Sequence, residues 1–363
     1  MNGILVQTAA STTVSSAEPA RAAVLLPLPL PGPYDYALPE GVSARRGTLV
    51  RAPLGGRELT GVVWGKAEGN VAPDKLRSAV PLGDARLPPS LCDFVDWVAR
   101  YTLNAPGAVL AQALRVKGAF DPEMPRHALI RAGTAPARTT PARERVLALM
   151  ADGLARMQAE IAELAAVGPG VVKGLAEQGA LRAVDLPEFD PPPEPDPSFD
   201  AVKLSSDQLR AAEHLRDAVK KREFQVALLD GVTGSGKTET YFEAVAEALT
   251  HGQQVLILLP EIALTVQFLD RFAARFGCRP LEWHSDLSMR ERKRVYRAAL
   301  DGSARVVAGA RSALFLPFKN LGLIVVDEEH EQAYKQEEGV IYHARDMAVV
   351  RARLEHCPIV LAS

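Results

Sequence analysis

The sequence predicts a multidomain protein in which a small β-rich domain and a winged-helix domain precede an α/β domain of the P-loop class. Three observations support this prediction. A phosphate-loop sequence begins at Gly231, apolar strands alternate with helices from Lys203 onward, and a proline-rich acidic stretch precedes that alternation. Because apolar strands alternating with helices form parallel sheets that are covered on both faces, the last part predicts a parallel sheet.

Length and composition limit the classes of protein that need considering. A chain of 363 residues allows two or three domains, and its net charge of −2 excludes a global basic field. Cys92, Cys278 and Cys357 are far apart and form no C-x-x-C pair, which predicts a reducing, cytoplasmic location and no zinc site within these residues. No apolar stretch reaches the length of a membrane span, so we expect no membrane partner.

The amino-terminal third predicts a leader and a first domain. Residues 1–20 are rich in Ser, Thr and Ala and predict a disordered leader. Residues 21–115 predict one domain, with short strands up to about residue 80 and a helical stretch over residues 88–114. Residues 22–30 include Pro27 and Pro29, which favours an edge strand.

The middle of the chain predicts a winged-helix domain between two linkers. Helices over residues 143–150, 158–166 and 171–178 and a strand over 180–184 give the winged-helix order across residues 141–185. The third helix offers only Lys173 as a base, beside Glu177, which favours a spacer or a weak backbone contact over sequence recognition. Residues 116–140 predict a linker, and the proline-rich acidic residues 186–202 predict an extended spacer.

Residues 203–363 alternate helices and strands. The predicted helices cover residues 207–222, 239–249, 262–276, 288–300 and 344–356. The predicted strands cover residues 226–229, 254–259, 281–283, 305–307, 321–326 and 359–361. The last strand has only begun when the sequence stops, so we expect this domain to be truncated at Ser363.

The segment from Gly231 to Thr238, GVTGSGKT, fits the pattern G-x-x-x-x-G-K-[ST]. Glycines let the backbone curl so that its amides and the following helix N-terminus attract a phosphate. Lys237 would reach the β- and γ-phosphates of ATP, and Thr238 would hold Mg²⁺. The cradle itself would comprise Gly231, Val232, Thr233, Gly234, Ser235 and Gly236. A glycine-rich turn that binds nothing is the alternative, but the strand before and the helix after disfavour it.

Two carboxylates follow the apolar residues 323–326. Asp327, at the carboxyl end of a buried strand, can hold Mg²⁺, and Glu328 can orient and deprotonate the attacking water. An acidic run is more often a solvated turn when it stands alone. Its position after a buried strand in a P-loop domain favours the metal and base interpretation, with Lys237, Asp327 and Glu328 as catalytic residues.

These residues resemble the first, RecA-like motor lobe of superfamily 2 helicases, and more narrowly the PriA family of replication-restart DNA helicases. The similar segments are GVTGSGKTE at Gly231, LLPEIALTVQ at Leu258, HSDLS at His284, RSALFLPFKNLGLIVVDEEH at Arg311 and YHARD at Tyr342. Upstream, LPLPLPGPYDYALPEG and VRAPLGGRELTGVV resemble the amino-terminal DNA-binding domain of that family.

The resemblance implies an ATP-dependent, 3′-to-5′ helicase with Mg²⁺ that recognises stalled forks and assembles the primosome. Its implied partners are forked DNA, a single-stranded DNA 3′ end, single-stranded-DNA-binding protein, primosome proteins and the replicative helicase loader. Zinc is implied only for a downstream module. The implied DNA-binding residues are Tyr34, Asp35, Gly55 and Arg77 in the end pocket, and Tyr334, Lys335, Tyr342 and His343 in a coupling loop. Asp207 and Gln208 are implied to read adenine.

Some features leave alternatives open. The YDY sequence at Tyr34 is by itself an ordinary turn into a strand, and rings in the coupling loop are equally consistent with core positions. Ala310 stands where the family usually has Thr, and Val340 and Ile341 replace an expected aromatic or basic pair, which questions DNA stimulation more than nucleotide binding. A catalytically inactive fork-binding scaffold and a small-molecule P-loop kinase are the alternative functions.

Overall fold

The computed structural model describes residues 20–69, 71–232, 234–260, 263 and 265–363. The predicted leader therefore lies almost wholly outside the described residues. The chain divides into two compact units. The larger unit contains residues up to Phe120 and from Pro192 onward, and the smaller contains Asp121–Pro191.

The amino-terminal part of the larger unit is a five-stranded antiparallel sheet in the order β2-β1-β4-β3-β5. Its strands are β1 (Arg21–Leu25), β2 (Tyr34–Ala37), β3 (Thr48–Leu54), β4 (Arg57–Lys66) and β5 (Val80–Arg86). The prediction of an edge strand at residues 22–30 was wrong. β1 ends before Pro27 and pairs on both sides, so the prolines remove no hydrogen bond from it.

Two helices follow this sheet instead of one helical stretch. They are α1 (Pro89–Thr102) and α2 (Pro106–Ala113). Leu103 ends α1 in the left-handed conformation with φ 55°, and Pro106 lies in the first turn of α2. A proline is tolerated in the first turn of a helix because the amide that it lacks has no intrahelical partner there, so the chain restarts as a second helix.

The smaller unit combines three helices with a three-stranded antiparallel sheet in the order β7-β6-β8. In chain order it contains β6 (Arg126–Arg131), α3 (Pro141–Leu149), β7 (Arg156–Met157), α4 (Gln158–Leu164), α5 (Pro169–Glu177) and β8 (Leu181–Leu186). Val146, Ile161 and Leu175 are fully buried in its core. β6 falls within residues 116–140, where the sequence predicts a linker. Lys173 and Glu177 pair with each other on the exposed side of α5 at 3.8 Å.

The carboxyl-terminal part of the larger unit is a six-stranded parallel sheet in the order β11-β12-β10-β13-β16-β9, as the alternating pattern predicts. Its strands are β9 (Val226–Leu229), β10 (Gln254–Leu258), β11 (Leu281–Trp283), β12 (Val306–Gly309), β13 (Leu321–Val326) and β16 (Ile359–Ala362). A short antiparallel pair, β14 (Lys335–Gln336) and β15 (Tyr342–His343), stands apart from it. The helices are α6 (Ser206–Lys221), α7 (Lys237–Thr250), α8 (Val266–Phe276), α9 (Met289–Asp301) and α10 (Ala344–Glu355).

The second half of the proline-rich stretch is anchored rather than free. The Asp196 amide donates to the Phe276 carbonyl at 2.9 Å, and the Arg275 guanidinium donates to the Pro197 carbonyl at 2.9 Å. Arg275 is almost fully buried and also pairs with Glu243 at 3.1 Å. The sequence-based prediction of an extended spacer through residue 202 was therefore too broad, because composition does not reveal a docking partner on α8.

The amino-terminal helices and the parallel-sheet part share one hydrophobic core. Phe94 of α1 contacts Phe315 with ring centroids 5.3 Å apart, and the Arg351 guanidinium of α10 lies over the Phe94 ring at 5.4 Å. The Tyr296 hydroxyl of α9 donates to the Ala113 carbonyl at 2.9 Å in a buried position. Within the described residues, no helix is long and apolar enough to cross a membrane.

Candidate functional site

The loop between β9 and α7 has the backbone of a phosphate-binding turn. Gly234 and Gly236 have φ values of 81° and 80°, which side chains disfavour. A Cβ atom at Gly236 would lie 2.3 Å from the Gln208 side-chain nitrogen. The loop therefore requires glycine at position 236 for conformation and for space. Thr233, one of its predicted phosphate contacts, lies outside the described residues.

Lys237 and Gln208 both contact this loop. The Lys237 ammonium donates to the Gly231 carbonyl at 2.6 Å, so its charge lies over the loop. The Gln208 amide donates to the Ser235 carbonyl at 2.7 Å, while its oxygen accepts from the Ser205 amide at 2.8 Å. Gln208 is thus fixed beside the phosphate loop, and its contact with adenine stays a prediction. Asp207 instead pairs with Arg210 at 2.7 Å on the exposed side of α6, so the structure does not bring its carboxylate to the loop.

Asp327 follows β13 directly and its carboxylate is nearly buried. One oxygen accepts from the Tyr241 hydroxyl at 2.8 Å, and the other accepts from the Glu328 amide at 3.0 Å. Burial raises the pKa of Asp327, and these two hydrogen bonds and the Lys237 charge oppose that rise. A buried carboxylate held by two donors is positioned before any ligand arrives.

Thr238 and Asp327 both lie beside Tyr241. The Tyr241 hydroxyl donates to the Asp327 carboxylate at 2.8 Å, and the Thr238 side chain lies close enough to that hydroxyl to oppose the rise in its pKa. The two predicted magnesium ligands therefore surround one hydroxyl at the amino-terminal end of α7. Carboxylate and hydroxyl oxygens are the hard ligands that Mg²⁺ prefers, and the remaining positions of its octahedron are normally filled by water and phosphate. These residues fit a magnesium–nucleotide site.

Glu328 has an unusual backbone. Its φ is 48°, in the left-handed region that non-glycine residues enter at a cost of order 1–3 kcal/mol. Its side chain is about half exposed, and its carboxylate lies 3.7 Å from the His330 ring. The strained turn at the end of β13 directs one carboxylate inward, at Asp327, and leaves the next accessible to solvent.

The coupling-loop residues divide into buried rings and exposed polar groups. The Tyr334 ring is 1% exposed, and its hydroxyl donates to the carbonyls of Leu258 and Asp327 at 3.0 and 2.5 Å. Tyr342 is 4% exposed and packs edge-on against Phe315. These rings occupy core positions, so they present no face to a base, whereas Lys335 is exposed and pairs with Glu337 at 2.9 Å. His343 at the end of β15 lies 6.5 Å from the Tyr334 ring.

The predicted DNA-end residues Tyr34 and Asp35 line a cavity beside β2 and β4. Tyr34 is 40% exposed, and Trp64 and Lys66 line the same cavity. The Asp35 carboxylate accepts from the amides of Glu68 and Gly69 at 3.1 and 2.8 Å. An ionised carboxylate offers about four acceptor sites, so Asp35 retains capacity for a further donor.

Gly55 and Arg77 adjoin each other on the same sheet. Gly55 has φ 60° in the turn between β3 and β4, and the Arg77 guanidinium contacts its carbonyl at 3.5 Å. Burial raises the pKa of Tyr36, Arg77 opposes that rise and Tyr34 adds to it, which places Arg77 and Tyr34 around one ring. Of the four predicted residues, Tyr34 and Asp35 line the cavity, whereas Gly55 and Arg77 contact each other outside its lining.

Sequence reasoning missed Tyr241 and the pair formed by Glu239 and Arg271. Tyr241 lies four residues after Lys237 and three after Thr238, a spacing that puts it on the same face of α7. That spacing could have indicated it. Glu239 forms two hydrogen bonds with Arg271 of α8, which fixes the first turn of α7. Nothing in the sequence identifies Arg271 as the partner, because the contact depends on how α7 and α8 pack.

Comparison with known proteins agrees with this geometry. A model of the PriA 3′ DNA-binding domain matches residues 23–115, and a DEAD/DEAH box helicase model matches residues 205–363. The replication restart protein PriA of Rickettsia felis is 35% identical over 345 residues, or 94% of this chain. By sequence, this chain is similar to the amino-terminal part of PriA proteins. It spans 42% of the length of the R. felis PriA protein.

Other PriA proteins match in the same way. The Haemophilus influenzae protein is 32% identical over 94% of this chain and 48% of its own length, and the Bacillus subtilis protein is 40% identical over 58% of this chain and 27% of its own length. Among solved structures, the DUF1998 helicase MrfA aligns over 44% of this chain and 26% of its own, at 21% identity and a TM-score of 0.30. The resemblance to PriA therefore depends on sequence and not on that alignment.

Proposed function

We propose that this chain supplies the DNA-end-binding part and the first motor lobe of an ATP-dependent DNA helicase that restarts replication at stalled forks. The observation that carries the proposal is the convergence of Lys237, Thr238 and Asp327 at the phosphate loop. The last two residues both lie beside the Tyr241 hydroxyl, which donates to Asp327. A DNA-binding domain and a motor lobe in one compact unit are the other support.

The chain's own groups would hold ATP by its phosphates. The loop amides and the positive end of α7 attract the phosphates, and Lys237 exchanges its bond to the Gly231 carbonyl for one to the ligand. Gln208, already bonded to the Ser235 carbonyl, lies at the edge of the loop where it can contact the adenine. For Asp207 we propose a contact with adenine through the backbone only, because its carboxylate pairs with Arg210.

Thr238 and Asp327 would hold Mg²⁺, which supplies charge neutralisation on the phosphates. Asp327 would exchange its hydrogen bond from the Tyr241 hydroxyl for the cation. Glu328 remains accessible on the strained turn and is proposed to accept the proton of the attacking water. One carboxylate therefore holds the cation while the other works on the water.

The amino-terminal cavity is proposed to receive the 3′ end of a DNA strand. Tyr34 offers an exposed ring on which a terminal base can stack, and Asp35 can accept from the 3′-hydroxyl. Gly55 leaves the turn between β3 and β4 open, and Arg77 adds positive charge beside it. Lys335 and His343 remain the proposed DNA contacts of the coupling loop.

Partners and polarity follow from the same proposal. The expected DNA ligands are a fork and a free 3′ end, and the expected direction of movement is 3′ to 5′ in a reducing cytoplasm. Single-stranded-DNA-binding protein, primosome proteins and a replicative helicase loader are the expected protein partners. One lobe forms half of a helicase cleft, so we expect the 363-residue chain to bind nucleotide and DNA ends but to hydrolyse ATP weakly.

The deciding experiment compares wild type with Lys237→Ala and with Lys220→Ala, an exposed-lysine control. Binding of a fluorescent ATP analogue should be lost in Lys237→Ala and kept in the control, while binding of a 3′-ended DNA strand should be kept in both. Absence of ATP-analogue binding to wild type would overturn the motor function and leave the scaffold alternative. A small-molecule kinase would bind ATP equally well but would not bind the DNA end.

A further inference from the structure

A second cleft of the larger unit, separate from the phosphate loop, is lined by three arginines. Arg115 follows α2, Arg292 belongs to α9, and Arg311 follows β12. The cavity measures about 270 Å³, several times the roughly 30 Å³ that one water occupies. Its described lining contains no Asp or Glu. A cleft with three guanidiniums and no carboxylate is suited to an anion.

Arg292 and Arg311 are held in place by backbone carbonyls. Arg292 donates to the carbonyls of His284 and Ser285 at 3.4 and 2.5 Å through one nitrogen. Arg311 donates to two carbonyls of the segment before and within β14, at 3.3 and 2.5 Å, also through one nitrogen. Since each guanidinium carries five N–H donors, both retain donors for a ligand.

Arg115 is positioned by anchors on either side of it. Before it, the Ala113 carbonyl accepts from the buried Tyr296 hydroxyl at 2.9 Å. After it, the Ala119 carbonyl accepts from Arg297 at 2.8 Å. The backbone of Arg115 is therefore fixed against α9, and its own side chain is exposed and makes no hydrogen bond or ion pair with any residue that the structure describes.

The electrostatics of the surroundings agree with this placement. Burial raises the pKa of Tyr342 to about 12, and Arg115 and Arg311 both oppose that rise. The two guanidiniums therefore lie near one ring. Of the acidic residues next to the lining in sequence, Glu337 pairs with Lys335 at 2.9 Å, Glu282 lies 3.7 Å from the His284 ring, and Asp286 accepts from the Ser285 hydroxyl at 3.4 Å.

We propose that Arg115 acts with Arg292 and Arg311 to hold backbone phosphates of a single DNA strand, so that the amino-terminal part supplies a residue to the strand-binding cleft of the motor lobe. The three guanidiniums come from separate elements of the structure, whereas a nucleotide polyphosphate is normally held by one glycine-rich loop. This arrangement favours successive phosphates of a nucleic-acid strand as the ligand. Guanidinium forks match phosphate geometry. The inference rests on the proposed function in taking DNA as the ligand.

Arg115 is the informative position because it is exposed and bonds to no other described residue. Removing it should leave the fold intact, whereas Arg292 and Arg311 also secure loops. Each phosphate contact to a single strand contributes about 0.7 to the slope of log affinity against log salt. Loss of one contact should therefore weaken binding about fivefold at roughly 0.1 M salt and lower that slope by about 0.7.

The test measures binding of a fluorescent oligothymidylate to the 363-residue chain over a salt series. Its 3′ end carries a phosphate, so that the end pocket does not dominate. Arg115→Ala should reduce affinity and slope as stated, and Arg115→Lys should restore the slope. Lys117→Ala is the matched control, because Lys117 is exposed two residues away and does not line the cleft. Thermal unfolding should be the same for all variants.

The outcomes separate the inference from the proposed function. Equal affinity and slope for wild type and Arg115→Ala would overturn the inference while leaving DNA-end binding intact. An equal loss in Lys117→Ala would also overturn it, since the effect would then reflect general charge. If wild type bound neither the blocked strand nor one with a free 3′-hydroxyl, the proposed function would fail as well.

Discussion

At the residue scale, Gln208 packs so closely against Gly236 that a larger residue at position 236 would displace the Gln208 side chain. The amide of Gln208 occupies the space that any side chain at Gly236 would need, and φ at Gly236 is positive. Sequence predicted both as nucleotide contacts, one from the loop pattern and one from resemblance. Their direct contact was not predictable, because Gln208 and Gly236 are 28 positions apart and β9 lies between α6 and the loop.

Gly236→Ala should weaken ATP binding at least tenfold. The added methyl group displaces Gln208 and strains the loop, so both the adenine and phosphate contacts are disturbed. Isothermal titration with a non-hydrolysable ATP analogue measures the effect. Gly56→Ala is the control, because a Cβ atom there meets nothing within 4 Å and φ at that residue is not positive. Equal affinity of the two variants would contradict this account of the loop.

Asp327→Asn should change the pH dependence of stability in magnesium-free protein. Burial raises the folded-state pKa of Asp327, so wild type loses stability as pH rises through that pKa, and asparagine removes this loss. As pH rises above about 4, the ordinary pKa of an aspartate, the difference in unfolding free energy should move in favour of the variant. Urea unfolding in a chelating buffer measures it.

The control for this pH effect is Asp84→Asn, at an exposed position of β5. Its difference from wild type should stay constant across the same pH range. A constant difference for Asp327→Asn as well would mean that the Asp327 carboxylate is not desolvated in the folded protein.

At the element scale, the alternating strands and helices of residues 203–363 were predictable and the contacts of the proline-rich stretch were not. All six strands of the parallel sheet are fully or partly apolar runs flanked by helices, so their pattern determines them. β6 was missed because its sequence, RHALIR, contains three basic residues and only a short apolar run. Its pairing with β8 supplies the stability that its composition does not indicate.

The packing of α1 against α10 could also not be predicted from the sequence. The apolar face of α1 predicts burial but not its partner, which the structure identifies as Phe315 and the Arg351 guanidinium. Arg351 is fully buried and pairs with Glu355 at 2.6 Å, so the charge is compensated. This contact joins the amino-terminal helices to the parallel-sheet part.

Phe94→Ala should destabilise both parts of the larger unit together. Removing a buried ring from a shared core costs about 3–5 kcal/mol. Denaturant unfolding, followed by tryptophan fluorescence for Trp64 and Trp283, should therefore show one transition shifted to lower denaturant. Val80→Ala, at an exposed position of β5, should shift the midpoint little. A loss confined to the amino-terminal sheet would contradict the shared core.

At the scale of the whole molecule, sequence order and spatial units differ. Residues up to 120 and from 192 form one unit, in which one hydrophobic cluster includes residues from both segments, and residues 121–191 form another unit. The domain boundaries predicted from the sequence lie where its composition changes, and their functional assignments remain predictions. The sequence could not indicate that two segments far apart in the chain share a core, since pairing over such distances leaves no local pattern.

The unit of residues 121–191 should fold by itself. It has its own fully buried side chains, including Val146, Met150 and Leu175, and its own three-stranded sheet. A domain of this size is marginal, so we expect a cooperative but modest unfolding free energy of about 3–5 kcal/mol. Circular dichroism during thermal unfolding of the isolated segment measures it. A helical signal without a cooperative transition would show that the core needs the rest of the chain.

The most direct test of the account is a double-mutant cycle on Thr238 and Asp327, read by binding of a non-hydrolysable ATP analogue. If both residues hold one magnesium ion, Thr238→Ala and Asp327→Ala should be coupled by at least about 1 kcal/mol when Mg²⁺ is present, and additive when it is chelated. Additive losses in the presence of Mg²⁺ would contradict the shared ion and, with it, the motor function proposed for this chain.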